Sequence, residues 1–228
     1  MMNGVLGTWQ FARSFISLWQ LHPAVEEVYV TDLVAERAAQ HVEQYGLAGS
    51  YADVDALLAS DVDSVAIMTQ RWSHAELALK ALGAGKNVYS AVPMDISAEE
   101  IAAIVAKVEQ TGLIYMMGET SYYNPAVIYA RQRIADGAFG RVFYSEGDYV
   151  HDMDNGFSAA YQFSGGQDWK PTARYPPMLY PTHAIGGVPG ALPTYATSVS
   201  GLGIVDTGAD GRSHQSHYRG ATRVPTTT

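Results

Sequence analysis

The chain has 228 residues, 47% hydrophobic and 16% charged, with 14 basic against 23 acidic side chains and a net charge of −9. That length can bury a sizeable core, and the acidic balance excludes an electrostatic nucleic-acid binder, which needs cations to displace phosphate counterions. Cysteine is absent, which removes disulfides, thiolate metal sites and cysteine nucleophiles, and no apolar run is long enough to span a bilayer as a helix. Met1 to Leu21 is apolar but has no basic n-region, is interrupted by Arg13 and is followed by no clean small-x-small site. The expectation is therefore mature structure in a cytoplasmic protein rather than a secretion signal.

In chain order, Gly4-Val5-Leu6 reads as a short strand ending at Gly7, and Phe11, Phe15, Ile16 and Trp19 recur at helical spacing up to the His22-Pro23 stop. Val28 to Val30 is a β-branched and aromatic strand closed by Thr31-Asp32, and Ala35 to Tyr45 is a helix ended by Gly46. Asp53 to Ala59 predicts a short helix, Val65 to Met68 a buried strand, and Ser73 to Ala84 a helix stopped by Gly85. Asn87 to Ser90 is the next strand, Ser97 opens a helix to Gln110 through a Ser97-x-x-Glu100 capping box, and Leu113 to Met117 is a further strand.

Strand–helix alternation with short connections implies an α/β fold, a doubly wound parallel sheet covered by helices on both faces. A partial barrel is the rival arrangement, and these units are too few to close an eight-fold one. Beyond Asn124, Pro125 to Asp136 predicts a helix ended by Gly137. Arg141 to Val150 and Tyr195 to Gly201 read as strands, and His151 to Tyr175 as a polar, aromatic loop. Ala209 to Thr228 has one acid, Asp210, three arginines and almost no large aliphatics, so a disordered tail is expected there.

Between the first strand and the first helix, a dinucleotide site needs a glycine turn whose backbone meets a pyrophosphate at the helix N-terminus. The residues in that place are Gly7-Thr8-Trp9-Gln10-Phe11-Ala12. The first glycine and the final small residue are present, but Trp9 replaces the middle glycine. Its indole either points away and leaves the loop competent or obstructs the pyrophosphate; both readings stand. Asp32 at the end of the second strand suits a ribose hydroxyl and favours NAD over NADP by repelling a 2′-phosphate. The alternative is that Asp32 merely caps the helix beginning near Val34.

Several segments in order resemble the Gfo/Idh/MocA oxidoreductases: Val5 to Thr8, Thr31-Asp32 with Glu36-Arg37-Ala38, Val65 to Thr69, and His74 with its Ala/Leu-rich helix. Ala84 to Val88, Pro93-Met94, Gly118 to Pro125, Gly140 to Val142 and Tyr180-Pro181-Thr182-His183 continue the series. The resemblance implies a Rossmann domain over 1–121, a partial α+β substrate and dimerisation domain over 122–208, and a tail over 209–228. It implies an NAD(P)-dependent oxidoreductase of a sugar or polyol hydroxyl, with homo-oligomers pairing through the second sheet. Thr69, Gln70 and His74 in one loop and Ser90, Ala91 and Pro93 in the next turn would face the nicotinamide, with Glu119 and Thr120 near cofactor or substrate. His183 would be the catalytic base. Pro181 suits the first turn of a helix, whose positive end favours a neutral imidazole there, although Gly186-Gly187 and Pro189 predict a short, poor helix.

Three departures stand out: Trp9; Val92, where the family's Glu-Lys-Pro motif reads Ala91-Val92-Pro93; and Leu179, where an acid precedes the histidine by four residues. Tyr180 could stand in for the missing lysine donor or simply pack. Tyr122 and Tyr123 could stack on a sugar or pack in the core. His151, Asp152 and Asp154 have metal-ligating chemistry, but acids in a polar loop face water and no metal is expected. His214 and His217 are read as incidental. The resemblance fades near Gly208, so a truncated member is expected. Two rivals to the dehydrogenase remain: an NAD-dependent glycosidase of the same fold and a non-catalytic remnant.

Overall fold

The computed structural model describes residues 1–8, 11–150 and 182–202. The chain divides into two compact units, Met1–Gly118 and Glu119–Thr228. In the first, β1 (Met2–Leu6), α1 (Phe11–Leu21), β2 (Glu27–Thr31), α2 (Ala35–Tyr45), β3 (Gly49–Ser50), α3 (Val54–Leu58), β4 (Ser64–Ile67), α4 (His74–Gly83), β5 (Asn87–Ser90), α5 (Ala98–Thr111) and β6 (Tyr115–Met117) follow in order. Every strand pairing is parallel, and the sheet order is β3-β2-β1-β4-β5-β6. This is the doubly wound Rossmann order, with its reversal between β1 and β4.

The strand period of two sorts the core into two layers. On one face Leu6, Val65, Ile67 and Val88 pack with Leu57, Leu82 and Ile104 from α3, α4 and α5. On the other, Val5, Val30, Ala66 and Met68 pack with Ala12, Ile16 and Ala38 from α1 and α2. Adjacent residues of one strand thus bury against opposite helix layers, which is why these strands read as continuous apolar runs. Full burial of an Ile67- or Leu82-sized side chain contributes about 1.5–3 kcal/mol.

Local chemistry sets the helix ends. The Asp53 carboxylate accepts from Ala56 N at 2.7 Å at the start of α3. Ser97 Oγ accepts from Glu100 N at 3.3 Å at the start of α5. The capping box is only half made, however: Ser97 N donates to Asp95 Oδ1 at 3.1 Å, so Asp95 takes the role expected of Glu100. β3 escaped the sequence reading because two residues carry no period; it exists by pairing Tyr29 with Gly49 and Val30 with Ser50.

The second unit has a short 3₁₀ turn (Thr120–Tyr123), α6 (Pro125–Ala135) and α7 (Thr182–Ala191). Two expectations fail here. Arg141–Val150 and Tyr195–Gly201 are not strands and are largely exposed. Alternation alone does not make a strand; its N–H and C=O groups need a paired neighbour, and among the described residues neither segment has one. The helix bearing His183 is also not short: it runs ten residues through Gly186-Gly187 and Pro189. Close packing sustains it. A Cβ at Gly190 would lie 2.8 Å from Val127 Cγ1 and 3.2 Å from Tyr122 Cα, so only small residues let α7 approach α6 and the 3₁₀ turn. The expected loop 151–175 and the expected tail 209–228 lie outside the described residues.

Candidate functional site

The first βα turn is built on Gly7, whose N–H donates to Thr31 O at 2.9 Å. Its φ of 82° favours glycine. A Cβ there would come within 3.2 Å of Met68 O and Thr69 Cγ2, on the neighbouring strand end. Thr8 is fully buried and donates twice to Asp32 Oδ2, from N at 2.9 Å and from Oγ1 at 2.8 Å. Asp32 Oδ1 accepts from Val34 N at 2.9 Å and pairs with Arg37 Nη1 at 3.3 Å. Asp32 therefore braces the turn as well as the approach to α2, whose N-cap is Val34 with no side-chain cap. Phe11 opens α1, half-exposed, with its ring 4.7 Å from that of Phe15. Trp9 and Gln10 lie outside the described residues.

Two further loops leave the same carboxyl edge of the sheet, after β4 and β5. Thr69 Oγ1 and Ser73 Oγ are hydrogen-bonded at 2.8 Å, and Gln70 O accepts from Ser73 Oγ at 2.7 Å. His74 is buried between the loops, with Nδ1 2.7 Å from Pro93 O and Nε2 3.1 Å from Thr69 O. Burial pushes its pKa below the usual imidazole value, outweighing the two carbonyls that favour the charged ring. A neutral ring carries one proton, which belongs on Nδ1 facing the nearer carbonyl. His74 thus ties the loop to the turn and does not cap its own helix. Ser90 is fully buried with Oγ donating to Ala91 O at 3.1 Å; Ala91 and Val92 are also buried, and Val92-Pro93 is cis.

Asp95 was not singled out in the sequence. It is buried, accepts from Ala75 N at 2.9 Å through Oδ2 and from Ile96 N at 2.6 Å through Oδ1. One carboxylate so joins the starts of α4 and α5 and fixes the turn that holds Ser90 to Pro93. An acid shortly before the Ser97 cap was the available sign.

In the second unit the structure brings Glu119 and His183 together. His183 Nδ1 lies 2.8 Å from Glu119 Oε1, with side chains 12% and 7% exposed respectively. Ser121 N donates to the same oxygen at 2.8 Å. The Tyr149 ring lies 4.7 Å from the His183 ring, and burial, followed by the Glu119 charge, raises the phenol's pKa. His183 also lines a cavity of about 440 Å³ whose polar wall includes Ser121, Asn124, Glu146 and Asp148. Thr120 lies in the 3₁₀ turn. Tyr122 is engaged by Arg131, whose guanidinium carbon lies 4.7 Å over its ring, whereas Tyr123 is half-exposed. Tyr180, Leu179, the His151/Asp152/Asp154 cluster, His214 and His217 lie outside the described residues.

At the carboxyl edge of the first unit's sheet lie a glycine turn, a following helix and an acid at the end of β2, the parts a dinucleotide site is built from. Asp32 already accepts from four protein groups, two per oxygen, so a ribose diol must compete with the longest of them, Arg37. Among the described residues no helix is long and apolar enough to cross a membrane.

The chain is 36% identical over 114 residues to a 4-carboxy-2-hydroxymuconate-6-semialdehyde dehydrogenase of Sphingobium, covering 50% of this chain and 36% of that protein. It is 31% identical over 163 residues to a glycosyl hydrolase family 109 protein of Shewanella, covering 68% and 36%. To scyllo-inositol 2-dehydrogenase (NAD⁺) of Bacillus subtilis it is 30% identical over 145 residues, covering 63% and 42%. The chain thus spans well under half the length of these relatives. The profile of an oxidoreductase family with an NAD-binding Rossmann fold matches residues 2–119, about half of the chain, and the chain belongs to that family, Gfo/Idh/MocA.

Proposed function

We propose that the chain binds NAD at the carboxyl edge of its parallel sheet and serves a dehydrogenase that oxidises or reduces a polyol- or sugar-type hydroxyl. The observation that carries this is the Gly7 turn locked to Asp32 through Thr8. Gly7 and Thr8 would meet the pyrophosphate side, and Asp32 would accept from the adenosine ribose. A 2′-phosphate beside that carboxylate is repelled, which favours NAD over NADP. Bound NAD supplies the hydride acceptor or donor. His183 is the proposed base, taking the hydroxyl proton as the carbon is oxidised. The likeness to an inositol dehydrogenase supports a polyol, and a cytoplasmic setting with ample NAD suits the reading.

The test is an NADH fluorescence titration of the full chain, followed by NAD reduction with myo-inositol and scyllo-inositol. Saturable binding in the micromolar range with turnover of a polyol supports the proposal. No saturable change up to millimolar NADH overturns it and leaves a non-catalytic remnant. Trp9→Gly in the same titration decides whether the indole obstructs the pyrophosphate, by tightening binding or leaving it unchanged.

A second reading has its own support, since the match to the glycosyl hydrolase family 109 protein extends over 163 residues. Nitrophenol release from aryl glycosides without net NADH formation would favour it.

A further inference from the structure

We propose that Glu119 is the positioning residue of His183, holding the imidazole as its Nδ1–H tautomer so that the ring's lone pair lies on Nε2. This rests on the reading of His183 as the base. It moves Glu119 from the cofactor-facing place implied by resemblance to a role acting through the histidine.

The geometry carries it. His183 Nδ1 lies 2.8 Å from Glu119 Oε1, and Ser121 N donates to the same oxygen at 2.8 Å. A carboxylate oxygen accepts, so an imidazole nitrogen bonded to it carries the hydrogen. The second oxygen, Oε2, is buried with no hydrogen-bond partner among the described residues. Both donors therefore converge on one oxygen, and one of them is the imidazole. When Nε2 takes a proton from a substrate hydroxyl, the resulting imidazolium has a buried carboxylate against its other nitrogen.

The pair is also built into the packing. Glu119 is buried and follows β6 after Gly118, while His183 lies 64 residues further along on α7. The two meet because α7 offers Gly186 at the contact: a Cβ there would collide with Glu119 Cγ and lie 2.8 Å from its Cδ. Any side chain at 186 displaces the carboxylate. With Leu179 at the place where the resembled family has an acid, the sequence leaves that role open, and Glu119 fills it from another element.

The test reads the tautomer directly in the full chain labelled with ¹⁵N-histidine, using long-range ¹H–¹⁵N correlation above the titration range. The His183 signals, one set among seven histidines, are assigned with His183→Gln. The wild type is expected to show Nδ1–H. Glu119→Ala is expected to shift His183 to Nε2–H, and Glu119→Gln to retain Nδ1–H because its amide oxygen still accepts. Gly186→Ala, which keeps the carboxylate but pushes it aside, should behave like Glu119→Ala. NADH titration should be unchanged in Glu119→Ala, and polyol oxidation should fall roughly 10²-fold in kcat with KM little changed. An Nε2–H wild type, an unchanged tautomer in Glu119→Ala, or a tenfold loss of NADH affinity in that variant overturns the inference. Absence of turnover in a wild type that shows Nδ1–H refutes the dehydrogenase reading instead, because the tautomer is read without substrate.

Discussion

Replacing Thr8 by Val removes one hydroxyl and keeps the side chain's shape. In the native structure that hydroxyl donates to Asp32 Oδ2 at 2.8 Å, with Thr8 fully buried and the Asp32 side chain 5% exposed. A hydrogen bond to a charged, buried acceptor contributes about 1.5–3 kcal/mol net. Thr8→Val should therefore destabilise the first unit by about 1.5–3 kcal/mol, read as a lower urea midpoint at unchanged m-value. In thermal unfolding this corresponds to roughly 3–12 °C for a chain of this size. Thr8→Ser keeps the donor and should recover most of the loss. A double-mutant cycle with Asp32→Ala should return a coupling energy of about 0.5–3 kcal/mol. Thr8→Val should also weaken NADH binding, since Asp32 loses part of its anchoring at the ribose position. A Thr8→Val protein within about 0.5 kcal/mol of wild type, or strict additivity with Asp32→Ala, would refute the claim that this contact holds the turn.

Gly7→Ala combines a left-handed backbone cost of about 1–2 kcal/mol with a Cβ 3.2 Å from Met68 O. Gly46→Ala, at φ 60° with nothing within 4 Å, should show the backbone cost alone; equal losses would mean the Met68 contact is harmless. The pH dependence of stability should carry the signature of His74. Its folded pKa lies below the ordinary value of 6.5, so below about pH 6.5 the unfolded chain binds the proton first. The stability tied to the neutral ring is present above that pH and is lost as pH falls through the folded value. Urea midpoints at pH 7.5 and 5.5 should fall more for wild type than for His74→Gln, and equal slopes would count against a buried neutral His74.

Much of the first unit was legible in the residues because its elements are locally self-consistent. α1, α2 and β5 occupy the ranges their periodicity and flanking stop residues indicate. Asp95 was missed because its value lies in backbone donors of two helices, Ala75 on one and Ile96 before the other, a relation with no spacing to read. The Arg141–Val150 segment shows the opposite error: its alternation was real but had no paired neighbour among the described residues. The Glu119–His183 pair was invisible for a further reason. Each residue was singled out alone, and 64 residues of chain separate them.

Residue order alone determined the parallel α/β layering, since continuous apolar strands alternating with amphipathic helices can bury both sheet faces in one way. It also placed a glycine and an acid at the ends of the first two strands. Only the tertiary structure decided that Asp32 is held by Thr8, that His74 spans two loops and that Glu119 faces His183. Those contacts depend on distances between separate elements, and packing, not local propensity, sets such distances.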